Sequence, residues 1–133
     1  MRVVVDTNVI VSAIRFGGIP RQVWDRCLTD RNIKLISSQE IIAEISRVLT
    51  TKFGWPDNLI EELRQVIESS SHTVYPKLIL NVVRDKGDDK FIEAAVEGQA
   101  EYIISGDKDL LDMQSYGDIK IITPAKFLEI INI

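Results

Sequence analysis

The chain has 133 residues, 45% hydrophobic and 27% charged, with 16 Lys and Arg against 20 Asp and Glu for a formal net charge of -4. That length suits one domain, residues 1–133, burying roughly two thirds of its unfolded surface, and the composition lies outside the low-hydropathy range of disordered chains. A net negative charge excludes a uniformly basic nucleic-acid wrapper, so contact with phosphate needs a local basic rim or metal ions that reverse the sign of an acidic pocket.

The apolar runs fall far short of the ~20 residues that span a bilayer, and Met1 leads into a strand instead of a secretory leader. No membrane segment and a cytoplasmic location are therefore expected. The single cysteine, Cys27, excludes an internal disulfide and fits a reducing compartment.

In chain order, Val3 to Val5 is a β-branched run ending at Asp6, the pattern of a strand buried on both faces of a parallel sheet. Val9, Ile10, Ala13 and Ile14 then recur at helical spacing until Gly17-Gly18, and Pro20 opens a second helix with Val23, Trp24 and Leu28. Ile33 to Ile36 reads as a strand. Ser37 with Glu40 forms a capping box for an amphipathic helix carrying Ile41, Ile42, Ile45, Val48 and Leu49 to about Thr51. Asn58 with Glu61 repeats the signature ahead of Leu59, Leu63, Val66 and Ile67.

From His72 to Val83 an apolar, β-branched stretch is broken by Pro76, which predicts one or two short or edge strands. Asp88 caps a helix with Phe91, Ile92, Ala95 and Val96; Tyr102 to Ile104 and Ile119 to Ile122 are strands; Pro124 starts the last helix. Alternating strands and helices predict a parallel sheet with helices on both faces, right-handed crossovers and a functional crevice beyond the carboxyl ends of the strands.

Four acids meet that rule. Asp6 follows the first strand, and Asp107 follows Tyr102 to Ile104 across Ser105 and Gly106. Asp88, with Asp85 and Asp89 beside it, opens a helix expected at the same edge, and Glu44 flanks the apolar stripe of its helix, roughly 40° from Val48 at ~100° per residue. Each also has a local reading: Asp6 and Asp88 as helix caps, Asp107 as a turn residue, Glu44 as a partner of Arg47. Together they would repel unless a divalent cation neutralised them. An all-oxygen set suits Mg²⁺ or Mn²⁺ over zinc, since the only His is His72 and the only Cys is Cys27. Hydrated Mg²⁺ beside carboxylates is equipment for hydrolysing phosphate esters.

The segments VVVDTNVIVSA, EISRVL, RDKGDDKFIEAA and YIISGDKDLL resemble, in that order, the four acidic motifs of PIN-domain nucleases, and are most similar to the VapC-like group of toxin-antitoxin toxins. The resemblance covers nearly the whole chain. It implies a three-layer α/β/α sandwich with a central, mostly parallel sheet, and a metal-dependent endoribonuclease whose acids fall on Asp6, Glu44, Asp88 and Asp107. Asn8 and Ser105 match polar helpers, Asp89 could share the role of Asp88, and Asp109 is an accessory acid. The same resemblance implies an RNA substrate, an antitoxin partner and a homodimer.

Arg84, Lys86, Lys90 and Lys108 flank the acidic motifs and could form a phosphate-binding rim, with solvated surface charge as the alternative. Trp24, Trp55, His72 and Cys27 read as structural. Two other functions compete. A haloacid-dehalogenase-like Mg²⁺ phosphatase needs a second Asp two residues after the first, where this chain has Asn8; a non-catalytic PIN-like binding or scaffold module has no need of acids at all four positions.

Overall fold

The computed structural model describes residues 1–132. β1 (Arg2–Val5) leads into α1 (Thr7–Phe16) and α2 (Gly18–Thr29); β2 (Lys34–Ser38) is followed by α3 (Gln39–Phe53) and α4 (Asp57–Ser70). Then come β3 (Ser71–Val74), a 3-10 turn at Lys86–Asp88, α5 (Asp89–Glu97), β4 (Tyr102–Ile104), α6 (Lys108–Met113), β5 (Ser115–Tyr116), β6 (Ile119–Ile122) and α7 (Pro124–Ile131). The strands form one sheet in the order β3-β2-β1-β4-β6-β5, parallel throughout except where β5 turns back antiparallel on β6. This is the three-layer α/β/α arrangement the sequence pattern predicts.

Val3, Val4 and Val5 on β1, and Ile103 and Ile104 on β4, are buried, as central strands covered on both faces require. Helices supply the matching stripes: Val9, Ile10 and Ala13 of α1, Ile41, Ile45 and Leu49 of α3, Phe91, Ile92 and Ala95 of α5. α5 lies against β1, β2 and β4, and its end comes so close to β2 that a Cβ at Gly98 would stand 2.5 Å from Ile36 Cγ2. Among the described residues no helix is long and apolar enough to cross a membrane.

Several boundaries differ from the sequence reading. The α3 cap is Ser38, whose hydroxyl accepts from the Ile41 N–H, because β2 continues through Ser37 and Ser38 in register with Thr73 and Val74 of β3. α4 starts at Asp57 behind Pro56 with no side-chain cap, so Asn58 lies inside the helix. α2 begins at Gly18, two residues before Pro20. Of the His72 to Val83 stretch only the beginning is strand, at the sheet edge, and residues 75–83 have no regular structure. α6 and the two-residue β5 carry too short a pattern to be read from sequence.

The crossovers fix where the site lies. From β1 the chain adds β2 and then β3 on one side, then returns to place β4 on the other side of β1. The strand order reverses between β1 and β4, which opens a crevice at their carboxyl ends. Asp6 stands at the end of β1, and the loop after β4 carries Ser105, Gly106 and Asp107.

Candidate metal centre

Asp6 is held from three directions. Its backbone N–H donates to the Ile104 carbonyl at 2.9 Å, which locks it to β4. One carboxylate oxygen caps α1, accepting from the Asn8 N–H at 3.4 Å, and the other accepts from Ser105 Oγ at 2.6 Å. Ser105 is fully buried, and its Oγ also accepts from the Asp107 N–H at 2.9 Å, so one hydroxyl ties the first acid to the loop of the last. Asp107 caps α6 through the Leu110 N–H at 3.1 Å. Capping and site formation coexist here, because each carboxylate oxygen has two lone pairs and one cap occupies only one of them.

Asp88 behaves differently. It precedes α5 in the N-cap position, yet its backbone is α-like and its side chain makes no capping bond. Burial raises its pKa from 3.8 to about 7, reinforced by the charges of Asp107 and Asp6, a hydrogen bond with the Asp107 carboxyl and the charge of Asp85. The Asp6 pKa is raised as well, by burial above all, against the lowering effect of the Ser105 and Asn8 hydrogen bonds, with the charges of Asp107 and Glu44 adding to the rise. Asp6 and Asp88 thus share one environment, beside Asp107, in which burial and neighbouring negative charge disfavour their ionisation.

Glu44 reaches the same cleft from α3 but is already satisfied. Thr7 Oγ1 donates to its Oε2 at 2.5 Å and Lys90 Nζ to its Oε1 at 2.7 Å, whereas Arg47 stands off at 3.8 Å. Among the described residues, no three His, Cys, Asp or Glu side chains are gathered in ready chelating geometry. The four expected acids therefore divide into three neighbouring aspartates, Asp6, Asp88 and Asp107, and a glutamate bound to a lysine.

Asp89, considered for the role of Asp88, points the other way. It is buried, and its Oδ1 accepts from the Val82 and Val83 N–H groups at 3.0 and 2.9 Å, pinning the segment that follows β3. Asp109 pairs with Arg84 at 3.1 Å, and Arg84 also holds Asp112 at 3.0 Å. The rim expected from Arg84, Lys86, Lys90 and Lys108 is accordingly reduced: Arg84 and Lys90 are paired with acids, while Lys86 and Lys108 are exposed. Exposed Asn8 and Lys108 line a cavity of about 350 Å³ beside Asp107, with Ser12, Pro20 and Pro124 on its other walls.

Thr7 is the residue that sequence reading missed; its position between Asp6 and Asn8 was the available signal. Cys27 is buried in α2, with burial pushing its thiol up to about 12, and His72 is exposed on edge strand β3. The donors at the crevice are all carboxylate and hydroxyl oxygens, a hard set that fits Mg²⁺ or Mn²⁺.

A PIN domain family model matches residues 2–109. Uncharacterized protein MJ1680 of Methanocaldococcus jannaschii is 33% identical over 142 residues, covering 97% of this chain and 90% of its own length. Among solved structures, VapBC-1 of nontypeable Haemophilus influenzae superposes with a TM-score of 0.64 at 14% identity, over 94% of this chain and 99% of that one. VapBC2 of Rickettsia felis, solved bound to a DNA fragment from their promoter, gives 0.62 at 12% identity over 92% and 98%. The chain belongs to the PIN-domain family, which supports a nuclease chemistry in general terms.

Proposed function

We propose that this protein is a divalent-metal-dependent endoribonuclease and the toxin of a toxin-antitoxin pair. The observation that carries the reading is the meeting of Asp6, Asp88 and Asp107 at the strand-order reversal, where Ser105 ties Asp6 to the loop of Asp107 and both of their charges act on Asp88. Such a site is unfavourable empty of cations and favourable with one, because a divalent ion relieves the repulsion that raises the carboxyl pKa. Asp6, Asp88 and Asp107 would hold Mg²⁺ or Mn²⁺, which when bound supplies a polarised phosphoryl oxygen and a hydroxide-like water.

The chain's own groups have separable tasks. Ser105 orients Asp6 against Asp107 through its two hydrogen bonds. Lys108 and Asn8, on the wall of the neighbouring cavity, are placed to meet the phosphate and the nucleotide beside the cut. Likeness to two VapBC complexes supports an antitoxin partner. Exposed Phe16 and Ile19 at the α1–α2 junction, and Tyr75, Leu78 and Ile79 after β3, offer apolar surface for that partner or for a second copy in a homodimer.

Purified protein incubated with single-stranded RNA and Mg²⁺ should cut internally, stop in EDTA and stop in the Asp107→Asn variant. Undiminished cutting in EDTA, or by Asp107→Asn, would remove the metal centre from the reaction. Absence of cutting on any RNA, with metal bound, would return the protein to a binding or scaffold role.

A further inference from the structure

Lys90 was expected at a phosphate-binding rim, but the fold turns it inward. Its Nζ donates to Glu44 Oε1 at 2.7 Å and to the Gly87 carbonyl, and lies 5.5 Å from the centroid of the Phe91 ring. The two side chains are 19% and 17% exposed, so the pair is largely withdrawn from water. Glu44's other oxygen is occupied by Thr7 Oγ1. What sets Glu44 apart from Asp6, whose oxygens also accept hydrogen bonds, is that one of its partners is a full positive charge held out of water.

We infer that Lys90 is the built-in cation of this centre: its ammonium neutralises Glu44, and the site takes a single divalent ion on Asp6, Asp88 and Asp107. The inference rests on the metal-centre reading above and adds to it a stoichiometry and a role for Glu44 as the anchor of a lysine. Removing Glu44 from a desolvated partner would leave an uncompensated buried charge, a strongly unfavourable exchange for a metal to drive. Without the ammonium, Glu44 would stand as a further negative charge beside Asp6, which already feels its field. An ammonium carries three donors, and two are used here, so one N–H is left for an incoming phosphate.

The test is the binding of Mn²⁺ to the metal-free full chain, followed by the electron paramagnetic resonance of free Mn²⁺. Wild type should bind one ion, and Asp107→Asn should weaken it at least about tenfold, as loss of a charged ligand does. Glu44→Gln alone should weaken binding, since it frees a positive charge beside the ion, and Lys90→Met alone should tighten it or admit a second ion at the uncovered carboxylate. The double variant Glu44→Gln with Lys90→Met removes a neutral pair and should return to within about threefold of wild type with one ion. Lys90→Arg should retain a stoichiometry of one.

A metal-free readout accompanies it. In urea each single substitution should destabilise the fold and the double variant should recover part of the loss. Two ions in wild type, or a double variant as weak as Glu44→Gln, would overturn the role of Lys90 while leaving a metal-dependent nuclease intact. A wild type that binds no Mn²⁺ would instead take the metal-centre reading down, and this inference with it.

Discussion

Replacing Asp88 with Asn should make the metal-free protein more stable at neutral and mildly alkaline pH, and should do so only there. Asp88 makes no capping bond, so the substitution costs no helix contact. The gain is the removal of a charge the folded site resists: the carboxyl is raised from 3.8 to about 7, first by burial and then by Asp107 and Asp6. A raised carboxyl pKa means that the folded state holds a proton that the unfolded chain has released. The stabilisation due to that proton is fully present below pH 3.8 and is lost as pH rises through about 7.

Three pKa units correspond to about 4 kcal/mol unscreened, but Asp88 is only half-buried and screened by solvent, so about 1–2 kcal/mol is the expected effect. For a chain of 133 residues this is a rise in Tm of about 3–7 °C. Urea or thermal unfolding in EDTA at pH 8 and again at pH 4 measures it. The stabilisation should be present at pH 8 and absent at pH 4. No gain at pH 8, or an equal gain at both, would refute the electrostatic account of the aspartate set.

Further outcomes follow from the same geometry. Asp89→Ala should cost about 2–3 kcal/mol, by orphaning the Val82 and Val83 N–H groups. It should also speed amide exchange at those two residues while leaving Mn²⁺ affinity near that of wild type; loss of metal binding would restore Asp89 as the third acid. Ser105→Ala should cost about 1–3 kcal/mol, because a buried hydroxyl that both donates and accepts is removed. Urea unfolding within error of wild type would show that the Asp6 clamp is dispensable. Gly98→Ala should lower the urea midpoint, by about 1–3 kcal/mol of overpacking against Ile36.

Sequence and structure agree best where a residue's role follows from its own strand. Asp6 and Asp107 could be placed at one edge because each comes just after a buried β-branched run, and the rule for carboxyl ends needs no further contact. Adjacent residues are harder. Asp88 and Asp89 differ only in which direction the turn before α5 aims them, and that depends on a segment with no regular structure folding back onto Asp89. Ser37 and Ser38 pose the same problem at the end of β2, where the cap is decided by pairing with β3 rather than by the local motif.

The ion pair of Lys90 is illegible in the sequence for a different reason. Its partner Glu44 lies 46 residues away on another helix, and a lysine beside an acidic motif has no local feature that distinguishes an inward from an outward side chain. The hydroxyl of Thr7 was overlooked because a threonine after a strand-end acid reads as a helix-starting residue, and only the approach of α3 turns it into a donor to Glu44.

The central claim is that Asp6, Asp88 and Asp107 form one divalent-metal site at the carboxyl ends of β1 and β4. A crystal grown with Mn²⁺, with data collected at the manganese absorption edge, tests it most directly. The account predicts one anomalous peak at the crevice, with carboxylate oxygens of those three aspartates at about 2.0–2.2 Å or joined to it through bound water. A peak coordinated by Glu44 with Lys90 displaced, or an occupied manganese site elsewhere and none at the crevice, would contradict it.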